Sequence, residues 1–137
     1  MIVVVDSNIV FSALLSKNSF LLETLLKEEH HFVAPNFLFT EIFKHKEKIL
    51  KHSKLSETEL LELLNDILST IQFIHYDFIS AESFKKAISL CHDVDMKDVV
   101  FVALSIEFNA ALWTGDRKLK DGIAAKGFNQ FFSSSKS

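Results

Sequence analysis

Three carboxylates, Asp93, Asp95 and Asp98, occur within six residues and lead directly into a strongly apolar segment, residues 99–104. This segment has no polar face, so it must be buried when the chain folds. The apolar pattern continues for several more residues, which is too long for a typical strand, and we predict a helix with Asp98 in its first turn. The positive end of a helix dipole favours an anion at that position. A carboxylate fixed at the edge of a buried element is a suitable ligand for a metal ion.

Two further acids follow short apolar runs that have the composition of buried strands. Asp6 comes directly after the β-branched residues 2–5, and Asp116 comes one glycine after residues 110–114. The carboxyl ends of neighbouring parallel strands meet at one edge of a sheet, so we expect both acids to lie there, near the acidic turn. Asp6 or the nearby Asn8 could instead serve only as the cap of the following helix, and the sequence alone leaves this alternative open.

A fourth acid, Glu41, lies in the second turn of a helix that we predict after Pro35, with Asn36 as its N-cap. We expect this helix to turn its apolar residues, Phe39 and Phe43 among them, towards the core. An acid between such residues points either to solvent or into a cleft. The sequence alone favours solvent, because acids are seldom buried.

Segments with strand character alternate with segments of helical periodicity along the whole chain. One helical segment begins at a capping-box signature, Ser56 to Glu59, and another begins near Ser80 and buries Cys91 on its apolar face. This alternation predicts an α/β fold with a parallel sheet that helices cover on both faces. The predicted strands are residues 2–5, 31–34, 72–75, 110–114 and 128–132.

The chain has 137 residues, nearly half of them apolar, which is enough for one domain with a substantial core. We assign residues 1–132 to that domain and residues 133–137 to a flexible tail. The net charge of -3 predicts no general attraction to nucleic acid or membrane. The single cysteine excludes a disulfide framework and a cysteine-based zinc site. We find no signal peptide or transmembrane segment, and we therefore expect a soluble cytoplasmic protein.

One stretch of the chain is clearly basic. Residues 44–54 contain five lysines and two histidines against one glutamate. Lys46, Lys48 and Lys51 in this stretch could contact nucleic-acid phosphates. The stretch could equally be a solvated helix end, where cations suit the helix dipole, and the sequence does not decide between the two.

The acids and their surroundings resemble the sequence pattern of the PIN domain family, and within it the VapC-like toxins and their small prokaryotic relatives. Four pieces in the expected order and spacing carry the resemblance, which covers nearly the whole chain. They are the strand that ends in Asp6-Ser-Asn8, Glu41 in its helix, Asp98 before the apolar helix, and Leu112-Trp-Thr-Gly-Asp116. Each piece alone is weak, but the four together are fairly specific.

The resemblance implies a three-layer α/β/α sandwich with a mostly parallel, five-stranded sheet. It also implies a pocket of four acids that binds Mg²⁺ or Mn²⁺ and cuts RNA: Asp6, Glu41, Asp98 and Asp116. Asn8 and Thr114 match polar positions of the family, and we assign them supporting roles beside the acids. Asp93 and Asp95 are additional acids, and the sequence leaves open whether either of them contacts the metal.

The residue types agree with this chemistry. Carboxylates that converge without a counterion repel one another, and a hard divalent cation with oxygen ligands relieves the repulsion. The family's metal-assisted hydrolysis implies products with a 5′-phosphate and a 3′-hydroxyl. Basic residues that flank the acids in sequence could bind RNA phosphates near the cut: Lys97, Arg117, Lys118 and Lys120.

The resemblance further suggests the toxin of a type II toxin–antitoxin pair, with an antitoxin protein as a possible partner and a homodimer as the expected assembly. Two other classes of function stay open. The first is a non-catalytic binding module for nucleic acid or protein on the same scaffold, although such a module has no reason to keep mutually repelling acids. The second is a phosphoryl-transfer protein with Asp6 as nucleophile, which would leave Glu41 and Asp116 without evident roles.

Overall fold

The computed structural model describes residues 1–15, 19–27 and 29–133, so residues 134–137 of the predicted tail lie outside the described residues. The strands in this part of the chain are β1 (Ile2–Val5), β2 (His31–Pro35), β3 (Ile71–Ile74) and β4 (Ala111–Trp113). The α-helices are α1 (Ser7–Leu15), α2 (Ser19–Leu26), α3 (Phe37–Lys44), α4 (Lys46–His52), α5 (Glu57–Ser69), α6 (Ala81–Cys91), α7 (Val99–Glu107) and α8 (Arg117–Ala124). The longest of these, α5, has 13 residues, and no helix in the described ranges is long and apolar enough to cross a membrane.

The four strands form one parallel sheet in the order β3-β2-β1-β4. The chain steps from β1 to β2 to β3 in one direction across the sheet, and it then crosses back past β1 to β4. Right-handed crossovers in opposite directions place the two groups of helices on opposite faces of the sheet. The predicted α/β/α sandwich is therefore confirmed.

The sheet has four strands rather than the predicted five. The expected last strand, residues 128–132, is reduced to a single parallel bridge between Phe131 and Leu112. Two hydrogen bonds accompany it, from the Leu112 N–H to the Gln130 carbonyl at 2.7 Å and from the Phe132 N–H to the Leu112 carbonyl at 2.8 Å. The Phe131 N–H instead bonds locally to the Asn129 carbonyl at 3.0 Å, and this tight turn prevents an extended pairing.

The core lies where the apolar runs of the sequence predict it. Val3, Val4 and Val5 of β1 have no exposed surface, which is the pattern of a strand covered on both faces. Residues 99–104 form most of helix α7 as predicted, and α7 packs on β1, β2 and β4. Cys91 is also fully buried, as a core residue of α6.

The helix predicted after Pro35 differs from its expectation in three ways. It is divided at His45 into α3 and α4, and Asn36 makes no side-chain hydrogen bond as a cap. Its buried residues are Leu38 and Ile42, whereas Phe39 is 48% exposed and Phe43 is 79% exposed. Residues four apart share a helix face, and each of these phenylalanines lies one position beyond a buried residue, about 100° further around the helix.

Candidate metal centre

The predicted site lies at the carboxyl edge of the sheet, where β1 and β4 are neighbours. The Asp6 N–H continues their ladder by donating to the Trp113 carbonyl at 3.0 Å, so the residues after both strands begin side by side. The strand order changes direction between these two strands. Open parallel sheets bind their ligands at such a point, outside the carboxyl ends of the strands.

Asp6 lies directly after β1 at this edge and is only 2% exposed. The Thr114 hydroxyl donates to Asp6 Oδ2 at 2.7 Å, and the Ser7 hydroxyl donates to Oδ1 at 3.4 Å. Burial raises the pKa of Asp6, and the nearby Asp116 adds to this shift, while the hydrogen bonds from Thr114 and Ser7 oppose it. The carboxylate is therefore held in one orientation by hydroxyl donors rather than by a cation.

Asn8 and Thr114 join the ends of the two strands. Asn8 Oδ1 accepts a hydrogen bond from the Gly115 N–H at 3.1 Å, and Thr114 Oγ1 accepts one from the Asp116 N–H at 3.0 Å. Asp116 in turn caps α8, because its Oδ1 accepts from the Leu119 N–H at 3.1 Å. Three hydrogen bonds thus fix the chain at Gly115 and Asp116.

The acidic turn places two carboxylates beside Asp116. The Asp95 side chain caps a short 3₁₀ turn, Met96–Asp98, by accepting the Lys97 N–H at 3.0 Å. Residues three apart in a 3₁₀ turn lie on the same side, so Asp95 and Asp98 face the same way. Asp95, Asp98 and Asp116 each offer an oxygen, and these oxygens all lie within 4.8 Å of one another.

Asp98 is the electrostatic centre of the site. It is partly buried, and its Oδ2 is covered and has no hydrogen-bond partner among the described residues. Burial is the largest cause that raises the pKa of Asp98, to about 7, followed by the charges of four other acids: Asp6, Asp95, Asp116 and Glu41. A buried oxygen without a donor, surrounded by further carboxylates, fits a hard divalent cation with oxygen ligands.

Glu41 approaches the same group from α3. Its side chain is only 17% exposed, and its Oε2 lies 3.9 Å from Nε2 of His45. The helix therefore turns this acid inward, and the sequence-based preference for solvent was wrong. Among the four acids that raise the pKa of Asp98, Glu41 has the smallest effect, so it lies at the margin of the cluster.

The structure thus brings all four predicted acids into one region and adds Asp95, which the sequence left unassigned. The Asp-x-x-Asp spacing of Asp95 and Asp98 was the sequence signal for Asp95. This spacing brings the two side chains to the same side once the residues form a 3₁₀ turn. Asp93 is not part of the cluster, because it pairs with Lys126. The basic residues proposed as phosphate contacts are exposed, those beside the acids and those on α4 alike: Lys97, Arg117, Lys118, Lys120, Lys46, Lys48 and Lys51.

Comparison with known proteins agrees with this geometry. A sequence profile of the PIN domain family matches residues 4–132, and the chain therefore belongs to the PIN domain family. Its fold is similar to that of a chain in the crystal structure of VapBC2 from Rickettsia felis bound to a DNA fragment from their promoter. That similarity has a TM-score of 0.64 at 21% sequence identity and covers 88% of this chain and 92% of the other. A search of curated protein sequences gives no match.

The raised pKa of Asp98 predicts how pH affects the stability of the metal-free protein. The folded state holds a proton on Asp98 up to about pH 7, whereas the unfolded chain releases it near pH 4, so stability falls as the pH rises through this interval. Asp98→Asn removes this cost, and we expect the metal-free variant to unfold a few degrees higher than the wild type at pH 8. A partly exposed group is screened by solvent, so the difference should be on the order of 1 kcal/mol.

Thermal unfolding of the wild type and of Asp98→Asn at pH 5 and pH 8 measures this difference. Asp66→Asn, a matched charge change at an exposed position on α5, should show no such pH-dependent gain. Added Mn²⁺ should stabilise the wild type at pH 8 but not Asp98→Asn. If the unfolding temperatures of the wild type and Asp98→Asn depend on pH equally, Asp98 is not the acid whose raised pKa destabilises the folded protein.

Proposed function

We propose that this protein is a metal-dependent endoribonuclease that hydrolyses RNA phosphodiester bonds with Mg²⁺ or Mn²⁺. One observation carries the proposal: Asp95, Asp98 and Asp116 converge within 4.8 Å above the buried Asp6, and one oxygen of Asp98 has no partner. Hard oxygen ligands of this kind suit Mg²⁺ and Mn²⁺ better than zinc. Membership of the PIN domain family supports the same conclusion.

Asp95, Asp98 and Asp116 would hold the cation, with Asp6 and Glu41 completing the negative pocket. When bound, a divalent cation lowers the pKa of water and offsets the charge that develops on the phosphate. The chain contributes a fixed frame for this chemistry. The Thr114 hydroxyl orients Asp6, and the Asn8 amide fixes the backbone ahead of Asp116. Lys97, Arg117 and Lys118 are exposed and adjacent in sequence to the acids, and they would attract the RNA backbone towards the site.

We further propose that the protein is the toxin of a type II toxin–antitoxin pair in the cytoplasm, with residues 1–132 as the nuclease domain. The similarity in fold to a chain of the VapBC2 complex supports this role. So do several large apolar side chains on the surface, Phe43 at 79% and Phe78 at 70% exposed among them. Contiguous exposed apolar patches mark protein interfaces, and Phe39 and Phe43, four residues apart on α3 and both exposed, would contribute to such a patch for an antitoxin or a second copy of the chain.

Cleavage of a mixed single-stranded RNA tests the proposed activity. The wild type should cut only with Mg²⁺ or Mn²⁺ present and should leave a 5′-phosphate and a 3′-hydroxyl. Asp98→Asn keeps the shape of the side chain but removes its charge, and we expect at least a hundredfold loss of rate, the size of effect seen when a transition-state contact is lost. Asp66→Asn should cut like the wild type.

Two results would contradict the proposed activity. Equal cutting by the wild type and Asp98→Asn would mean that the activity does not arise from this site. A 2′,3′-cyclic phosphate product would exclude hydrolysis by a metal-activated water, because that product arises from attack by the RNA's own 2′-hydroxyl.

Asp95 and Asp93 allow a matched test of which acids contact the metal. Asp95→Asn can still cap the 3₁₀ turn through its amide oxygen, but it then presents an NH₂ group to the cluster instead of a second oxygen. We expect its Mn²⁺ affinity to fall about tenfold or more in calorimetry, the effect typical of a lost coordinating or supporting group. Asp93→Asn keeps an oxygen for Lys126 and should bind Mn²⁺ within about threefold of the wild type. Equal affinities in the two variants would remove Asp95 from the proposed ligands.

The two groups of basic residues can be separated by salt titration. Each phosphate contact that is lost reduces the slope of log affinity against log salt by about 0.7 for a single strand. If α4 contacts the RNA, Lys46→Gln, Lys48→Gln and Lys51→Gln together should lower that slope by about 2. Lys97→Gln and Lys118→Gln should lower it by about 1.4 if the contacts lie beside the acids. Unchanged RNA binding in the triple variant would exclude a role for α4.

A further inference from the structure

Helix α8 has a metal-site acid at its beginning and a fixed lysine at its end. Asp116 caps its first turn, and the helix closes with hydrogen bonds from the Gly127 N–H to the Ala124 carbonyl at 3.0 Å and from the Phe128 N–H to the Ile123 carbonyl at 3.1 Å. Gly127 has a φ of 98°, which favours glycine. The residue before it, Lys126, is therefore held in a defined position.

Lys126 binds the end of α6 and the start of the acidic turn. Its Nζ donates to the Leu90 carbonyl at 2.9 Å and to the Ser89 carbonyl at 3.4 Å, and it forms an ion pair with Asp93. The last carbonyls of a helix have no partners within the helix and carry negative partial charge, so an ammonium group suits them. Lys126 thus connects the segment after α8 to the C-terminal end of α6, where the acidic turn begins.

Gly122 makes a second contact between α8 and the acidic turn. A Cβ atom at this position would lie 2.7 Å from Cγ2 and 3.2 Å from Cγ1 of Val94. Real Cβ atoms do not approach other atoms so closely, and the β-branched valine has little freedom to turn away. Glycine therefore allows the turn to pack directly against the helix, one residue before Asp95.

We propose that Lys126 and Gly122 are positioning residues that set the distance between the acidic turn and Asp116. The carboxylates of Asp95, Asp98 and Asp116 repel one another, and this repulsion tends to push the turn away from α8. Lys126 and the close contact at Gly122 oppose that movement, so the turn keeps a spacing that suits one cation. This inference rests on the proposed metal site, and it assigns residues outside that site a measurable effect on the metal.

Substitution of Lys126 tests the proposal in the full-length protein. Lys126→Met keeps the apolar stem but loses the ammonium group, and we expect a Mn²⁺ affinity about tenfold weaker by calorimetry, as for other groups that orient metal ligands. Lys126→Arg keeps a donor and a charge and should restore the affinity to within about threefold of the wild type. Lys85→Met, at an exposed position on α6, is the matched control and should have no effect.

Amide hydrogen exchange measures the turn itself without any metal. The N–H groups of Val94, Asp95, Lys97 and Asp98 are all hydrogen-bonded within the turn or to the end of α6. If Lys126 holds the turn, these amides should exchange several times faster in Lys126→Met than in the wild type or Lys85→Met. The amides of β1 should exchange at the same rate in all three proteins, because the core is not altered.

A pair of variants at the second contact tests the proposal without removing a charge. Gly122→Ala should displace Val94 and weaken Mn²⁺ binding about tenfold, as with Lys126→Met. Gly122→Ala combined with Val94→Ala removes the clash and should regain most of the affinity. This pair remains informative if Lys126→Met proves too unstable to study.

Three results would overturn the positioning role. Wild-type Mn²⁺ affinity in Lys126→Met and Gly122→Ala, even with lowered thermal stability, would show a purely structural contact. Unchanged exchange of the turn amides in Lys126→Met would show that the lysine does not hold the turn. Failure of the wild type itself to bind Mn²⁺ would refute the proposed metal site and the positioning role together, and it is distinguished from the first result by the wild-type measurement.

Discussion

The repulsion between carboxylates is the constraint on which the site depends. Burial and the charges of four neighbouring acids together raise the pKa of Asp98 to about 7. Asp6, Asp95 and Asp116 accept hydrogen bonds from hydroxyl or backbone N–H groups, and Glu41 lies 3.9 Å from a ring nitrogen of His45. The arrangement is tolerable because each acid is fixed by its own element: Asp6 by β1, Asp116 by the start of α8, and Asp95 by the 3₁₀ turn.

The topology of the sheet explains why these acids meet. Asp6 and Asp116 are 110 positions apart in the sequence, yet they follow adjacent parallel strands, so the strand order alone places them at one edge. Asp95 and Asp98 come to the same edge just before α7, which packs on β1, β2 and β4. Glu41 reaches it from α3, after β2. The acids from β1, α3 and α8 thus follow strands that end at this edge, whereas those before α7 arrive because this helix begins there.

The sequence predicts those parts of the fold that a single apolar pattern determines. Residues 99–104 are apolar on every side, so they had to form a buried element, and Asp98 had to stand at its end. The sequence does not predict which side of α3 faces the core. Leu38 and Phe39 are both large and apolar, and only the packing against the sheet decides that Leu38 is buried and Phe39 exposed. The missing fifth strand has a similar cause, because a local turn at Phe131 competes with pairing to Leu112.

Asp95 shows the same limit within the site. Its sequence position suggested only an additional acid, since nothing in the sequence distinguishes a 3₁₀ turn from an irregular loop at residues 96–98. Once that turn forms, Asp95 serves both as its cap and as a neighbour of Asp98, whereas Asp93, two residues earlier, turns to Lys126.

The hydrogen bonds of Asp6 and Asp98 differ, and this difference gives the two acids separate roles. Both oxygens of Asp6 receive hydroxyl hydrogen bonds, so this carboxylate is satisfied by the protein and anchors the floor of the site. Asp98 has a covered oxygen without a donor, so it retains its electrostatic cost until something positive arrives. In a protein whose total stability is small, a persistent cost of this kind fits the proposed role of Asp98 as a metal ligand, because the metal-free protein would be more stable without this charge.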